Sequence, residues 1–259
     1  MAADLRASRD LAWRLAVRDI SSQYRQSILG LFWAFVPPLL SALLFVVLQR
    51  KNVVNISDVG MPYPLFVLIG TTLWQMFAEA VTAPLRVVTG ARTILAKISF
   101  PREALALSAL YQTLFGALVK GLLLAGVLLY FSAPVRLQSL LAFIPIFLLI
   151  WLGLIIGLSL TPAGMLVSDV SQIMTLGLQL GFFLTPVIYP APETFPYSLL
   201  ATWNPVSSYL LASRTLLVGG TPAALMPLVI VTICLVGVTF AVWLLFRVSM
   251  PIIIERISS

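Results

Sequence analysis

Histidine is absent from this 259-residue chain, which removes the side chain that most often acts as general base or metal ligand. The single cysteine, Cys234, lies in an apolar run, so no intrachain disulfide can form and no thiol-rich metal site exists; it reads as a small core residue. Of nine Asp and Glu only Glu79 falls well inside an apolar segment, and Lys120 is the one cation that does so. With Glu79 near the inner end of one segment and Lys120 more than halfway out along the next, a rise of about 1.5 Å per residue sets them at different depths and predicts that they do not pair. A proton or ion pathway normally carries several intramembrane ionisable groups, so two isolated ones disfavour a proton-coupled carrier. No stretch fits G-x-x-x-x-G-K-[ST], the loop that cradles nucleotide phosphates. The chain is therefore expected to hold no catalytic residues, no metal and no cofactor of its own. Any active transport would draw its energy from another polypeptide.

The elements that position these residues are long and apolar. Hydrophobic residues make up 60% of the chain, charged ones 10%, and the mean hydropathy is +1.05, a composition that would aggregate as a soluble domain. Lipid offers no hydrogen-bond partners, so unbroken apolar runs select helices over barrel strands. Six runs approach the roughly 20 residues that a bilayer core of about 30 Å requires, at 28–48, 63–83, 104–131, 139–161, 170–189 and 223–246. Together they predict one all-α transmembrane domain over residues 1–259, with an arm at 1–27, five spans within 28–189, an external segment at 190–222, the sixth span and a tail at 247–259.

The net charge of +7 does not indicate a nucleic-acid binder, because the cations flank the apolar runs and form no continuous stripe. With both termini cytoplasmic, Arg6, Arg9, Arg14, Arg18, Arg25, Arg86, Arg92, Lys97, Arg102, Arg247 and Arg256 lie inside, against Arg50, Lys51, Arg136 and Arg214 outside, as the positive-inside rule asks. No apolar core and small-residue cleavage site of a signal peptide precede the first run, so the arm is expected to persist. Within it Trp13, Val17, Ile20 and Tyr24 fall on one helical face beside Arg14, Arg18 and Arg25, which predicts an amphipathic helix at the membrane interface. That helix serves either as an anchor in the lipid or as a contact for a cytoplasmic partner.

Two connections stand out. The cytoplasmic one, 84–103, carries four cations and one carboxylate, and 93–98 suits a short helix that ends before Pro101. The external one, 190–222, is cut by Pro190, Pro192, Pro196 and Pro205 into pieces too short to cross, yet is too apolar for a free loop. Two short helices dipping back into the membrane reconcile these facts. Its aromatics, with Tyr189 before them, either form an interfacial belt or stack on sugar faces. Gly153 and Gly157, and Gly177 and Gly181, are spaced for close helix packing in the fourth and fifth spans.

Four blocks, RDISSQYRQSILGLFWAFVPPLL (18–40), TILAKISFPRE (93–103), FFLTPVIYP (182–190) and NPVSSYLLASR (204–214), resemble in order and spacing the permease subunits of polysaccharide-exporting ATP-binding-cassette transporters, the O-antigen type above all. The resemblance implies six spans, an interfacial arm, a cytoplasmic helix before the third span and two re-entrant helices before the sixth. It also implies a homodimer in a bacterial cytoplasmic membrane, working with two nucleotide-binding subunits that hold the ATP and magnesium, and exporting a lipid-linked glycan between the two permeases along the first and fifth spans. Here Pro37-Pro38 replaces a more usual single proline, which alters the bend expected in the first span. On this basis Phe35, Phe182, Phe183, Tyr189 and Trp203 are the expected path residues. Asp19, Tyr24 and Arg25 in the arm, with Lys97, Phe100, Arg102 and Glu103 in the cytoplasmic helix, are the expected contacts to the ATPase. Arg92 and Arg102 could attract the diphosphate of a polyprenyl carrier. Teichoic acid, capsule and drug exporters are the nearer alternatives. A membrane enzyme acting on lipid-linked sugars is remote, because metal-binding carboxylates and a general base are lacking.

Overall fold

The computed structural model describes residues 2–25, 29–51, 60–92, 103–134, 136–192, 194, 198, 203–221 and 225–258, of which 2–7, Tyr24 and 254–258 are described by their backbone only. Every regular element among them is helical: α1 Ala2–Arg25, α2 Val36–Arg50, α3 Tyr63–Gly90, α4 Glu103–Tyr130, α5 Phe143–Leu166, α6 Asp169–Leu184, α7 Pro205–Leu217 and α8 Leu225–Ser258, with 3₁₀ turns at Gly30–Ala34 and Leu137–Ala142. Among the described residues four segments, Tyr63–Gly90, Glu103–Tyr130, Leu137–Leu166 and Leu225–Ile253, are long and apolar enough to cross a membrane. The chain is an all-α, multi-pass membrane protein.

Proline accounts for most differences from the expected spans. The second and fourth runs were expected to end at 83 and 161, each directly before a proline, but α3 continues through Pro84 and α5 through Pro162. A proline inside a membrane helix is tolerated where neighbouring groups satisfy the backbone it frees and its ring finds space. Gly157 of α5 supplies that space, since a Cβ there would lie 3.0 Å from two ring carbons of Pro84 and against the Val81 carbonyl. Gly153 likewise sits against Phe77 and Ala80, so this glycine pair does bring α5 close to α3 as its spacing predicts. Gly177 meets nothing within 4 Å, and Gly181 meets only Trp74.

The first run behaves differently. It is not one helix over 28–48: a 3₁₀ turn at Gly30–Ala34 gives way to α2, with Pro37 and Pro38 in the first turn of the new helix. Proline favours that place because the first N–H groups of a helix have no intrahelical partner. Gly30 at φ +46° enters the turn in a conformation that a side chain would strain. The fifth run stops at Leu184 rather than 189, because Thr185, preceding Pro186, is extended at φ −95°, ψ 139°. The expected tail is instead helical, continuous with α8 through Pro251.

Helix α3 is the centre of the bundle and packs on α2, α4, α5, α6 and α7. Of its most apolar stretch 72% is buried, against 11% for α8, which lies at the periphery and packs on α5 and α7, where Trp151 Nε1 donates to Thr239 Oγ1 at 3.0 Å and the Tyr209 and Thr232 hydroxyls are hydrogen-bonded at 3.2 Å. The non-helical backbone after α6 is held from three sides. Arg214 donates to the Pro186 and Val187 carbonyls, Tyr63 to that of Ile188, and Asn204 to the Thr185 hydroxyl while capping α7. Arg214, expected among the external cations, is thus only 3% exposed, with its guanidinium carbon 3.8 Å above the Phe66 ring.

The arm is a helix, and its expected apolar stripe lies at the edge of its contact with the bundle: Trp13 and Val17 are exposed and Ile20 is half-buried, while the Trp13 ring stands edge-on to Tyr111 of α4 at 5.8 Å. A second face, Ser8, Ala12, Leu15 and Ala16, is buried where α1 packs on α4. The cytoplasmic helix expected over 93–98 lies outside the described residues. So does most of the stretch preceding α7, the one helix described between 190 and 222.

Candidate functional site

Three helices that start or end at prolines leave an open trough between them. The fifth run ends early, α6 has only Met174 buried, and α2 buries only Pro38 and Ala42, so neither closes over α3. Between α2, α3 and α6 lies a cleft of about 530 Å³, lined by Ser41, Gln75, Glu79, Thr82, Thr175 and Gln179 together with Trp74, Phe182 and Phe183. A second cavity of about 580 Å³ shares Thr82 and Thr175 with it and adds Arg86, Thr89, Arg92, Ser168 and Ser171. The two follow one side of α3 from Trp74 to Thr89, roughly 22 Å at 1.5 Å per residue. That is most of the thickness of a bilayer core of about 30 Å. The trough carries amides, hydroxyls and aromatic rings, with cations at one end.

Among the path residues expected from the sequence, Phe182 and Phe183 line the cleft. Phe182 stands edge-on to Trp74 at 5.9 Å and to Phe183 at 5.3 Å, and Phe183 is 63% exposed. Tyr189 is joined to them through its hydroxyl, which donates to the Phe183 carbonyl at 2.8 Å. Phe35 lies apart, at the junction before α2 with its ring edge-on to Phe32, and Trp203 is exposed ahead of α7. Sequence reasoning missed Trp74, Gln75 and Gln179. The signal was present: Gln75, Glu79 and Thr82, and Thr175, Gln179 and Phe182, recur at i, i+4, i+7 within apolar runs, so each set shares one helix face.

The expectation that Glu79 and Lys120 do not pair is wrong. Lys120 Nζ lies 2.6 Å from Glu79 Oε1. The depth of a Cα is not the depth of its charge, because every helical Cα–Cβ bond leans toward its own N-terminus. In the antiparallel pair α3 and α4 the two side chains lean toward one another, and their lengths close the remaining gap.

The sequence model for the membrane component of ABC-2 type transporters matches residues 10–218. The chain belongs to this family. Among relatives, O-antigen export system permease protein RfbA of Klebsiella pneumoniae is 28% identical over 221 residues, covering 82% of this chain and 81% of the relative. The Myxococcus xanthus protein of the same name is 29% identical over 212 residues, covering 78% of each.

In this ABC-2 chain the residues expected to meet an ATPase are placed unevenly. Asp19 accepts from Gln112 Nε2 of α4 at 3.0 Å and pairs with Arg18 at 2.7 Å, so its carboxylate staples the arm to the bundle. Arg25 is exposed in the last turn of α1, and Glu103 opens α4, where a carboxylate suits the positive end of the helix dipole. Lys97, Phe100 and Arg102 lie outside the described residues, as does the side chain of Tyr24. Among the described residues no cluster of His, Cys, Asp and Glu could hold a metal.

Proposed function

We propose that this chain is the transmembrane permease subunit of an ATP-driven exporter that moves lipid-linked polysaccharide, of the O-antigen type, across a bacterial cytoplasmic membrane. The observation that carries the proposal is the trough on α2, α3 and α6: aromatic rings beside amides and hydroxyls, left uncovered by the other described residues. Rings stack on the C–H faces of sugars while amides and hydroxyls replace the water on their edges, and such a lining serves neither an ion nor an apolar drug as well. Relatives named as O-antigen export permeases support the same reading.

The chain makes six crossings in this proposal. The 3₁₀ turn and α2 together reach about 32 Å, and α6 about 24 Å before the buried non-helical segment extends it, so these join the four long helices as the first and fifth crossings. Helix α7 and the stretch before it dip back from the outer face. Both termini are cytoplasmic, as the distribution of cations requires. Two copies face each other across their troughs, because one trough is open on its side and two-fold symmetry closes it into a passage. Two copies of a separate ATPase, holding ATP and magnesium, dock on the arm and on the connection containing Lys97, Phe100 and Arg102. Phe182 and Phe183 guide sugar rings.

Depletion of the protein should make lipid-linked glycan accumulate in the cell while polysaccharide disappears from the surface. Unchanged surface polysaccharide with no accumulation rejects the assignment. Loss of a teichoic acid or a capsule instead would keep the mechanism and move the cargo to that class.

A further inference from the structure

We infer that Glu79, with Gln75 and Gln179, forms a subsite for sugar hydroxyls midway along the cleft, and that Lys120 is the positioning residue that holds the Glu79 carboxylate there. The inference rests on reading the cleft as a glycan path.

The ion pair is asymmetric. Lys120 is buried, its side chain 2% exposed, whereas the Glu79 side chain is 43% exposed and lines the cleft. For packing alone, an apolar pair of similar volume would serve as well or better, because each buried charge carries a desolvation cost. Ionisable groups inside membrane helices are costly and mark functional sites. Here the cost of burial falls on the lysine, and the carboxylate is the group left facing the cleft.

The valences agree. A carboxylate offers about four lone-pair sites, and Lys120 donates to one oxygen. The other oxygen lies over Gly116 of α4, where a Cβ would come within 2.9 Å of it, so α4 leaves it room rather than a competing side chain. The remaining lone pairs accept hydroxyl protons. Gln75, one turn along α3, and Gln179, on the facing α6, both donate and accept, while Trp74 and Phe182 offer ring faces beside them. Acceptor, amides and rings within one cleft form a recognition set for a polyhydroxylated ring.

The test places a photo-crosslinking amino acid at Ala78 or Leu178, which line the cleft, in the full complex with its ATPase in cells making their own lipid-linked glycan. An antiserum against that glycan detects adducts. Adducts are expected at 78 and 178 and not at Leu118, on the exposed face of α4. Two double variants avoid an unpaired buried charge: the neutral Glu79→Gln with Lys120→Met, and the charge swap Glu79→Lys with Lys120→Glu. Each should assemble with the ATPase yet lose adducts at least tenfold, while Lys120→Arg keeps them. The swap restores the ion pair but moves the carboxylate out of the cleft, so wild-type labelling in it would overturn the subsite and leave the pair a packing device. Should neither double variant assemble, the wild type decides. Adducts at Phe183 without any at 78 or 178 overturn the subsite alone, and no adduct at 78, 178 or 183 overturns the reading of the cleft on which it rests.

Discussion

Arg214 shows how far one side chain can depart from the meaning of its charge. Counted along the chain it is an external cation, yet its guanidinium is buried and spans two carbonyls that Pro186 leaves without helical partners. Removing it strands both, at about 1–3 kcal/mol each. Arg214→Met is therefore expected to destabilise the protein by roughly 3 kcal/mol, read as a lowered unfolding temperature in detergent, and Gly70→Ala should do comparable harm because its Cβ would fall on the Val187 carbonyl and the guanidinium. In the cleft, Phe182→Ala should cut surface polysaccharide about tenfold, the equivalent of ~1.4 kcal/mol and within reach of a lost ring contact, with membrane insertion unchanged. Trp203→Ala, away from the cleft, should have little effect. The pairing of Glu79 with Lys120 was hidden for a related reason. A sequence gives the height of a Cα along its helix, whereas the contact is made by side-chain tips several bonds away.

At the scale of elements, the runs free of interrupting proline were the most legible. The third, expected at 104–131, is found at 103–130. Where proline occurs, sequence alone does not say whether the helix starts, stops or passes through. Pro37 and Pro38 start α2, Pro186 stops α6, and Pro84 passes because Gly157 of a helix distant in sequence makes room for it. The arm teaches a similar lesson. Its large apolar residues drew attention to one face, but small residues on another face let α1 approach α4, and Asp19 fixes the pair through Gln112. Asp19→Ala should weaken this attachment by about 1.5–3 kcal/mol, the usual worth of a hydrogen bond to a charged group. Faster proteolysis or hydrogen exchange in α1 would register it, with α5 and α8 unaffected. The cleft was legible in principle from the i, i+4, i+7 spacing of polar residues on α3 and α6, and attention to aromatics alone overlooked it.

At the scale of the whole molecule, the bundle is well packed around α3 and open along α2 and α6. A second span so fully buried, beside a polar trough that the described residues leave uncovered, supports the proposed assembly in which two copies face each other and a separate ATPase drives them. Co-purification should recover an ATPase with this chain, and crosslinking should trap two permeases across the α2–α6 side. The central claim is tested most directly by reconstituting the permease with its ATPase in vesicles and following delivery of lipid-linked glycan to the lumen with an impermeant glycan-cleaving enzyme enclosed there. The account predicts cleavage only when ATP, the ATPase and this chain are all present. Cleavage by the permease alone, or none with all three components present and hydrolysing ATP, would contradict it.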